Sequence, residues 1–209
     1  ANVTLFLEPG WSTWLSPHAP LAIHGFGWNT PDLDVNPLAS WPAPVSGRAN
    51  VALAYAPSGD MALNPEEVCL PPEGLAYTAL GGFRDCGMWP GAGQADVHYS
   101  GTPEGLGFHE PGPRHWLEVE LTPDGVEIHR RMSSRTLFTV HLLDVTPLHD
   151  FTALRAALAA FQEEPGAPRQ VARIILEGVS LPWFGPALEQ LRKDHGCRFD
   201  CLILDDHTD

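Results

Sequence analysis

Two short apolar runs each end at residues whose types could bind a phosphate or an ion. Residues 50–55 (NVALAY) end on the phenol of Tyr55, and residues 77–80 (YTAL) lead into Gly-Gly-Phe-Arg, which contains Gly82 and Arg84. The Arg84 guanidinium is permanently charged and suits a phosphate, but it cannot activate a water molecule. A phenol is a poor ligand for a hard divalent cation at neutral pH. These side chains therefore favour binding over metal-assisted hydrolysis.

A second candidate pair is the Asp96-x-His98 sequence within residues 96–101 (DVHYSG). Residues two apart in a strand share a face, so this aspartate and this histidine could hold a metal ion together. Coincidence is the favoured interpretation of the pair. His24, in the run 21–25 (LAIHG), could also be a ligand. A lone histidine in an apolar strand is more often a hydrogen-bonded core group, and that interpretation is favoured for His24.

The remaining candidates, for contacts with nucleic acid, are arginines. The formal net charge is −14, from 12 Lys and Arg against 26 Asp and Glu, so the chain as a whole repels a polyanion. DNA binding would need a local cluster of cations or the help of a partner. The candidate cations are Arg84, Arg130, Arg131, Arg135, Arg169 and Arg173. They could contact phosphates or form a solvated rim, and the acidic surroundings favour the rim.

Strand-forming runs separated by Pro and Gly predict a mostly β unit in the first part of the chain. Residues 2–7 (NVTLFL) and 21–25 are predicted to pair as an antiparallel hairpin whose loop carries Trp11 and Trp14. A second hairpin is predicted around the turn 122–125 (TPDG), because Pro and Gly stand there where a type I turn favours them.

The later part of the chain has a cleaner periodic pattern, and a domain boundary is predicted at 133–135. The predicted elements are a strand, a helix, a strand, a helix and a strand at residues 136–144, 146–164, 171–176, 180–195 and 199–204. Alternation of strands with helical spacing indicates a small open sheet covered by two helices.

In their types and order, these residues resemble the metal-binding half of the SbcD-type DNA repair exonucleases, which are calcineurin-like metallophosphoesterases. The resemblance rests on the two strand ends described above and on residues 99–121 (YSGTPEGLGFHEPGPRHWLEVEL), where a Gly-rich turn leads into a hairpin. In that family one strand ends in His and the other in Gly-His-x-His, and the three histidines are metal ligands. The matching positions here are Tyr55, Gly82 and Arg84.

The resemblance implies an α+β or α/β fold, with half of a metallophosphoesterase-type β-sandwich over residues 1–134 and a β-α-β-α-β capping domain over residues 135–209. It covers nearly all 209 residues, but only the later half of the family's body plus its cap. The family uses two manganese ions. With the three ligands substituted, the resemblance implies that this chain has no metal, no other cofactor and no catalytic residues.

Three functions stay open. The first is a non-catalytic relative or fragment of a DNA double-strand-break repair exonuclease, acting in binding or assembly. The second is part of an active metal-dependent phosphodiesterase that a missing N-terminal half completes. The third is a structural interaction domain with no nucleic-acid role. Because an incomplete body should leave a sheet edge and an apolar face exposed, association with another chain or self-dimerisation is expected, with DNA bound weakly by the chain alone.

Composition sets the remaining expectations. No apolar run approaches the roughly 18 residues of a membrane span, and no basic segment precedes an apolar one as in a signal peptide. A cytoplasmic location without a membrane partner is therefore expected. The four cysteines, Cys69, Cys86, Cys197 and Cys201, contain no C-x-x-C pair, which predicts reduced thiols and no structural zinc site.

Overall fold

The protein has a mixed α+β fold in which strands predominate. The computed structural model describes residues 3–28, 36–56, 69–89, 95–162, 168–193 and 199–209. These ranges contain eleven strands, two α-helices and one short 3-10 helix. Among the described residues, neither α-helix combines the length and the apolar content that a membrane crossing requires. Cys197, one of the four predicted thiols, lies outside the described residues, whereas Cys69, Cys86 and Cys201 are free cysteines.

The chain divides into two compact units. The first comprises residues 1–103 and 114–132, and the second comprises residues 104–113 and 133–209. The segment 104–113 belongs to the second unit because the Glu104 carboxylate accepts hydrogen bonds from the backbone N–H groups of Arg135 and Thr136, at 2.9 and 2.8 Å. The sequence pattern had placed this segment before the boundary.

The first unit is built on a six-stranded sheet with the order β1-β2-β3-β4-β6-β5. The strands are β1 (Gly10–Leu15), β2 (Leu21–Gly27), β3 (Ala49–Tyr55), β4 (Tyr77–Gly81), β5 (Gly87–Met88) and β6 (Val97–Tyr99). β1 and β2 form an antiparallel hairpin, whereas β2, β3, β4 and β6 are parallel neighbours. Parallel pairing brings the carboxyl ends of these strands to one edge of the sheet.

The first hairpin differs from the prediction. Residues 3–7 are not a strand, and β1 is formed by the segment that was predicted to be the loop. Trp11 in β1 contacts Phe26 edge-on, with ring centroids 5.3 Å apart, and stacks on Trp41 at 5.7 Å. Burial of these large aromatic surfaces outweighs the weak alternation of residues 3–7, whose apolar side chains at alternate positions are exposed.

One face of the six-stranded sheet is covered by side chains from connecting segments. Short alanine side chains on β3 leave space for Leu38, from the 3-10 helix at Pro37–Ala39, and for the indole of Trp41. The fully or largely buried cluster is Leu38, Ala54, Ala56, Leu80, Val97 and Tyr99. The opposite face of the sheet keeps Leu53 and Tyr55 partly exposed.

A buried polar network centred on Asn50 lies on the same covered face. The Asn50 Oδ1 accepts a hydrogen bond from Val45 N at 2.7 Å, so the His24 Nε2, 3.0 Å away, must donate to it. The His24 Nδ1 then accepts from the Thr13 hydroxyl at 2.8 Å, and the Asn50 Nδ2 donates to the carbonyls of Val45 and Arg48. His24 is therefore a satisfied core residue, as the sequence indicated.

A two-stranded antiparallel sheet completes the first unit. It consists of β7 (His115–Thr122) and β8 (Gly125–Met132), which confirms the hairpin predicted around the TPDG turn. Gly125, with φ +146°, adopts a backbone conformation that favours glycine.

The second unit contains a parallel three-stranded sheet with the order β11-β10-β9. Its elements are β9 (Thr136–Asp144), α1 (Phe151–Ala159), β10 (Arg169–Glu177), α2 (Phe184–Lys193) and β11 (Cys201–Asp206), in the predicted order. Leu154 and Leu158 of α1 and Leu188 of α2 pack with Ile174 and Leu176 in one buried cluster.

Helix α1 starts later than predicted. Its N-cap is Asp150, whose carboxylate accepts a hydrogen bond from Ala153 N at 2.8 Å. Thr146 does not cap this helix, because its N–H donates to the Asp144 carboxylate and its hydroxyl accepts from Val179 N. The hydrogen bonds of Thr146 thus hold the end of β9 beside the end of β10.

Candidate functional site

The candidate site lies at the carboxyl ends of β3 and β4. Tyr55, the last residue of β3, pairs directly with Gly81 in β4. A Cβ atom added to Gly81 would lie 3.4 Å from the Tyr55 ring, so the phenol rests against the next strand. Gly82 follows immediately. The structure therefore brings Tyr55 and Gly82 together at adjacent strand ends.

Gly82 occupies a backbone conformation that suits glycine. Its φ angle is +104°, in the left-handed region where a side chain is strained. A histidine at this position would have to adopt that strained backbone conformation in order to bind an ion. This position is therefore adapted to the absence of a side chain.

Arg84 lies on an exposed loop whose backbone is firmly held. The Arg84 carbonyl accepts hydrogen bonds from Thr102 N at 3.0 Å and from the Arg114 guanidinium at 3.2 Å. Gly101 is required beside it, because a Cβ atom there would lie 2.8 Å from the Arg84 carbonyl oxygen. The loop presents the Arg84 side chain to solvent while its main chain is fixed.

Arg114 is the positioning residue that sequence inspection missed. Its side chain is 8% exposed and donates to the Asp85 carboxylate at 3.0 Å as well as to the Arg84 carbonyl. A buried guanidinium needs such partners, because an uncompensated buried charge is costly. Arg114 stands within the segment that carries the family resemblance, but no periodicity or motif relates it to a loop 30 residues earlier.

A second anchor holds the ends of the strands. The hydroxyl of Tyr99 in β6 donates to the Ala56 carbonyl at 2.8 Å, and Phe83 contacts the Tyr99 ring edge-on, with centroids 5.5 Å apart. Burial raises the pKa of Tyr99, which keeps its phenol protonated and able to donate.

A shallow cavity of about 360 Å³ adjoins the candidate site. Its walls are largely apolar and include Phe6, Leu53, Tyr55, Ala79 and Gly81. Neither Gly82 nor Arg84, which follow the end of β4, is among the residues that line this cavity. Of the three positions predicted from the sequence, Tyr55 and Gly82 are thus brought together, and only the phenol of Tyr55 lines the cavity, whereas the described contacts of the Arg84 main chain are with Thr102 and Arg114.

The Asp96-x-His98 pair lies elsewhere on the sheet. His98 is buried and stacks on Tyr77, with ring centroids 5.8 Å apart and planes at 14°. Burial lowers the pKa of His98, an effect that Arg130 reinforces and Asp96 opposes. Burial also raises the pKa of Tyr77 to about 12. Asp96 itself lines a different cavity, of about 580 Å³, next to the β7–β8 turn.

Within the described part of the chain, one group of three side chains has the spacing of metal ligands. The group is Glu120, Glu127 and His129, with ligand atoms within 4.8 Å of one another on the exposed β7–β8 hairpin. Glu120 and Glu127 are direct partners across the hairpin. None of the three is at the ends of β3 and β4, so this group is separate from the candidate site.

Among the described residues, ion pairs are seen for the candidate cations Arg131, Arg169 and Arg173. Arg131 donates to Glu118 at 2.6 Å in the first unit. In the second unit, Arg169 donates to Asp200 at 3.1 Å and Arg173 donates to Asp205 at 2.6 Å. Their charge is therefore partly neutralised within the chain. Arg84 and Arg130 belong to the first unit and Arg135 to the second, and all three are exposed.

A scan against protein-family models found no match for this chain, and a search of the curated proteins found none either.

Proposed function

We propose that this chain is a non-catalytic relative of the SbcD-type DNA repair exonucleases and acts in binding or assembly. It would correspond to the later half of their phosphoesterase body, a half β-sandwich, followed by the capping domain. The observation that supports this proposal is the direct pairing of Tyr55 with Gly81, which places Tyr55 and Gly82 side by side at parallel strand ends. That is where the resemblance puts two strand-end metal ligands.

The chemistry of the three positions supports a role without hydrolysis. Two-metal hydrolysis needs ligands that hold two cations about 3.5–4 Å apart. A phenol, a glycine and a guanidinium supply no imidazole, and Gly82 has a backbone conformation that disfavours a side chain. Arg84 could instead provide a permanent positive charge for a phosphate.

The distribution of charge supports weak DNA binding. Exposed ion pairs such as Arg131–Glu118 and Arg169–Asp200 contribute little to stability, so a phosphate could compete for the guanidinium. The net charge of −14 opposes that competition. Contacts made in this way should weaken steeply with added salt.

A metal-binding experiment tests the kinship directly. The triple variant Tyr55→His/Gly82→His/Arg84→His restores the imidazoles that the resemblance implies. We expect it to gain manganese or zinc binding by isothermal titration calorimetry, while the unaltered chain binds neither ion at this site. The matched control is the triple variant with Asn at the same positions, and circular dichroism checks that both variants fold. Because a side chain at Gly82 is strained, the double variant Tyr55→His/Arg84→His tests the same geometry without that strain. If neither folded histidine variant gained metal affinity, the shared geometry would be contradicted.

A nuclease assay tests the absence of catalysis. Purified unaltered protein with Mn²⁺ should leave linear double-stranded DNA intact. Digestion that persists at constant specific activity through repurification would overturn the proposal and favour an active phosphodiesterase.

The internal ion pairs of the arginines favour a second candidate function, a structural interaction domain without a nucleic-acid role. A gel-shift titration with double-stranded DNA at low and high salt separates the two. The proposed function predicts a salt-sensitive shift that Arg84→Ala weakens and Leu70→Ala does not. If no shift occurred even at low salt, the structural interaction domain would be the better supported of the two functions.

A further inference from the structure

The β7–β8 hairpin has one mainly apolar face and one charged face. Side chains alternate along a strand, so residues two positions apart share a face. Val119 and Ile128 are direct partners across the hairpin, and both are half-buried on the apolar face. The charged face carries Glu118, Glu120, Glu127, His129 and Arg131. Carboxylates therefore outnumber cations on this face.

Two of these carboxylates, those of Glu120 and Glu127, belong to residues that face each other directly across the hairpin. Like charges at directly opposed positions of a sheet are destabilising. The guanidinium on this face does not relieve the repulsion, because Arg131 donates to a third carboxylate, that of Glu118, at 2.6 Å. A cation bound between Glu120 and Glu127 would remove it.

His129 adds a nitrogen ligand beside the two carboxylates. Its Nε2 lies 3.9 Å from the Glu127 Oε2, which is longer than a hydrogen bond, and the ligand atoms of Glu120, Glu127 and His129 all lie within 4.8 Å of one another. Ligands of a tetrahedral zinc ion lie about 2.0–2.2 Å from the metal and hence about 3.4 Å from one another. The side chains of His129 and Glu127 are 43% and 62% exposed, so they have room to rotate and close this difference.

The combination of one imidazole with two carboxylates selects among cations. Mg²⁺ and Ca²⁺ are bound by oxygen ligands, whereas an imidazole suits zinc and its neighbours among the transition metals. With the same ligands, Zn²⁺ forms more stable complexes than Mn²⁺. Three protein ligands leave one position of a tetrahedral zinc ion for water. Among these four cations, the ligands on this hairpin therefore favour Zn²⁺.

We propose that Glu120, Glu127 and His129 form a binding site for Zn²⁺ on the charged face of the hairpin. Glu120 belongs to β7, whereas Glu127 and His129 belong to β8, so the ion cross-links the two strands. Ligands from separate strands meet only in the folded chain, and zinc binding therefore stabilises the hairpin. The site is distinct from the ends of β3 and β4, where the resemblance implies that metal ligands are substituted.

A zinc titration with a matched histidine control tests the site. Cys69 and Cys201 are exposed thiols that would compete for zinc, so the cysteines are alkylated first. Because exposed side chains must be ordered on binding, isothermal titration calorimetry should give a dissociation constant between about 1 µM and about 1 mM. His129→Ala should raise that constant at least about tenfold. His115→Ala, which lies on the same hairpin but outside the group, should leave it unchanged.

A carboxylate substitution should have opposite effects on stability without and with the ion. With a chelator present, Glu120→Gln removes the repulsion with Glu127, so the midpoint of thermal unfolding should rise. With Zn²⁺ in excess, the unaltered chain gains stability from binding and the variant does not, so the order of the two midpoints should reverse. Glu73→Gln, which changes an exposed carboxylate elsewhere in the first unit, should show no reversal.

The amide resonances of the protein locate the bound ion. Zinc should shift the NMR signals of residues 118–129 far more than those of residues 169–177, which belong to the second unit. A chain that binds no zinc up to about 1 mM, or zinc binding that His129→Ala and Glu120→Gln both leave unchanged, would overturn the proposal. Neither result bears on the proposed function, because its metal titration concerns the ends of β3 and β4 and can be made in the His129→Ala background.

Discussion

The six-stranded sheet and the three-stranded sheet of this protein each bury one face, but by different means. The six-stranded sheet is covered by aromatic side chains from connecting segments, such as Trp41, and stabilised by the polar network at Asn50. The three-stranded sheet is covered by two helices whose leucines form a continuous apolar cluster. Loops that cover a sheet must be fixed by specific hydrogen bonds, whereas helices satisfy their own backbone and need only an apolar stripe.

This difference explains where the candidate site is found. The strand ends of the first unit carry irregular loops that specific anchors, Arg114 and Tyr99, hold in place. Loops on a rigid scaffold are where proteins concentrate binding residues. In the second unit, β9 and β10 are each followed by a connection to a helix, and the sheet carries partly exposed apolar side chains such as Val140 and Leu142.

The largest expected effect tests the apolar packing of the second unit. Leu154 of α1 is fully buried, and Leu154→Ala should lower the free energy of unfolding by about 3 kcal/mol because it leaves a cavity. Hydrogen exchange should show the loss of protection in residues 136–206 and much less in residues 10–56. An equal loss in both ranges would show that the two units unfold as one.

The next effect tests the polar network of the first unit. Asn50→Ala leaves the Val45 N–H, the Arg48 carbonyl and the His24 ring without partners, which should cost about 2–3 kcal/mol in urea unfolding. Asn50→Asp keeps the acceptor for Val45 and should cost less. If both variants were equally destabilised, the accepting oxygen would not be the important part of the network.

A smaller effect is expected when the stabilisation by a buried guanidinium is compared with that by an exposed one. Arg114→Met removes the hydrogen bonds to the Arg84 carbonyl and the Asp85 carboxylate, and should cost about 2 kcal/mol. Arg131→Met breaks an ion pair between two partly exposed side chains and should cost less than about 1 kcal/mol. Chemical unfolding measures both, and exchange at residues 83–86 should rise in the first variant alone. Equal losses of unfolding free energy in the two variants would show that Arg114 does not position the loop.

The smallest effect concerns pH and the buried His98. Because burial lowers its pKa in the folded state, the unfolded chain binds this proton more readily as pH falls below about 6.5. The folded protein should therefore lose stability on acidification from about pH 7 toward the lowered pKa, with no contribution from His98 above about pH 7. His98→Phe, which keeps a ring against Tyr77, should show a smaller loss in urea unfolding over that range. An identical pH dependence in the variant would contradict a buried neutral imidazole.

The sequence by itself was sufficient to predict the elements in which apolar residues recur with a clear period. The bounds of β9 agree with the prediction, β10 extends the predicted strand by a few residues, and β7 and β8 form the predicted hairpin, because alternation and turn residues are local signals. The end of β3 at Tyr55 and the end of β4 near Gly81 also agree with the prediction, because each apolar run stops there. The preference for a satisfied His24 followed from its apolar neighbours alone.

Only the tertiary structure decided which segments pair and what holds them. Residues 10–15 became an edge strand because Trp11 gains contacts with Phe26 and Trp41, which lie 15 and 30 positions away in the sequence. The anchors at Arg114 and Tyr99 act across 30 and 43 residues, so no local pattern could reveal them. Burial and long-range hydrogen bonds depend on parts of the chain that meet only on folding, and they outweigh the weak local preferences of loop sequences.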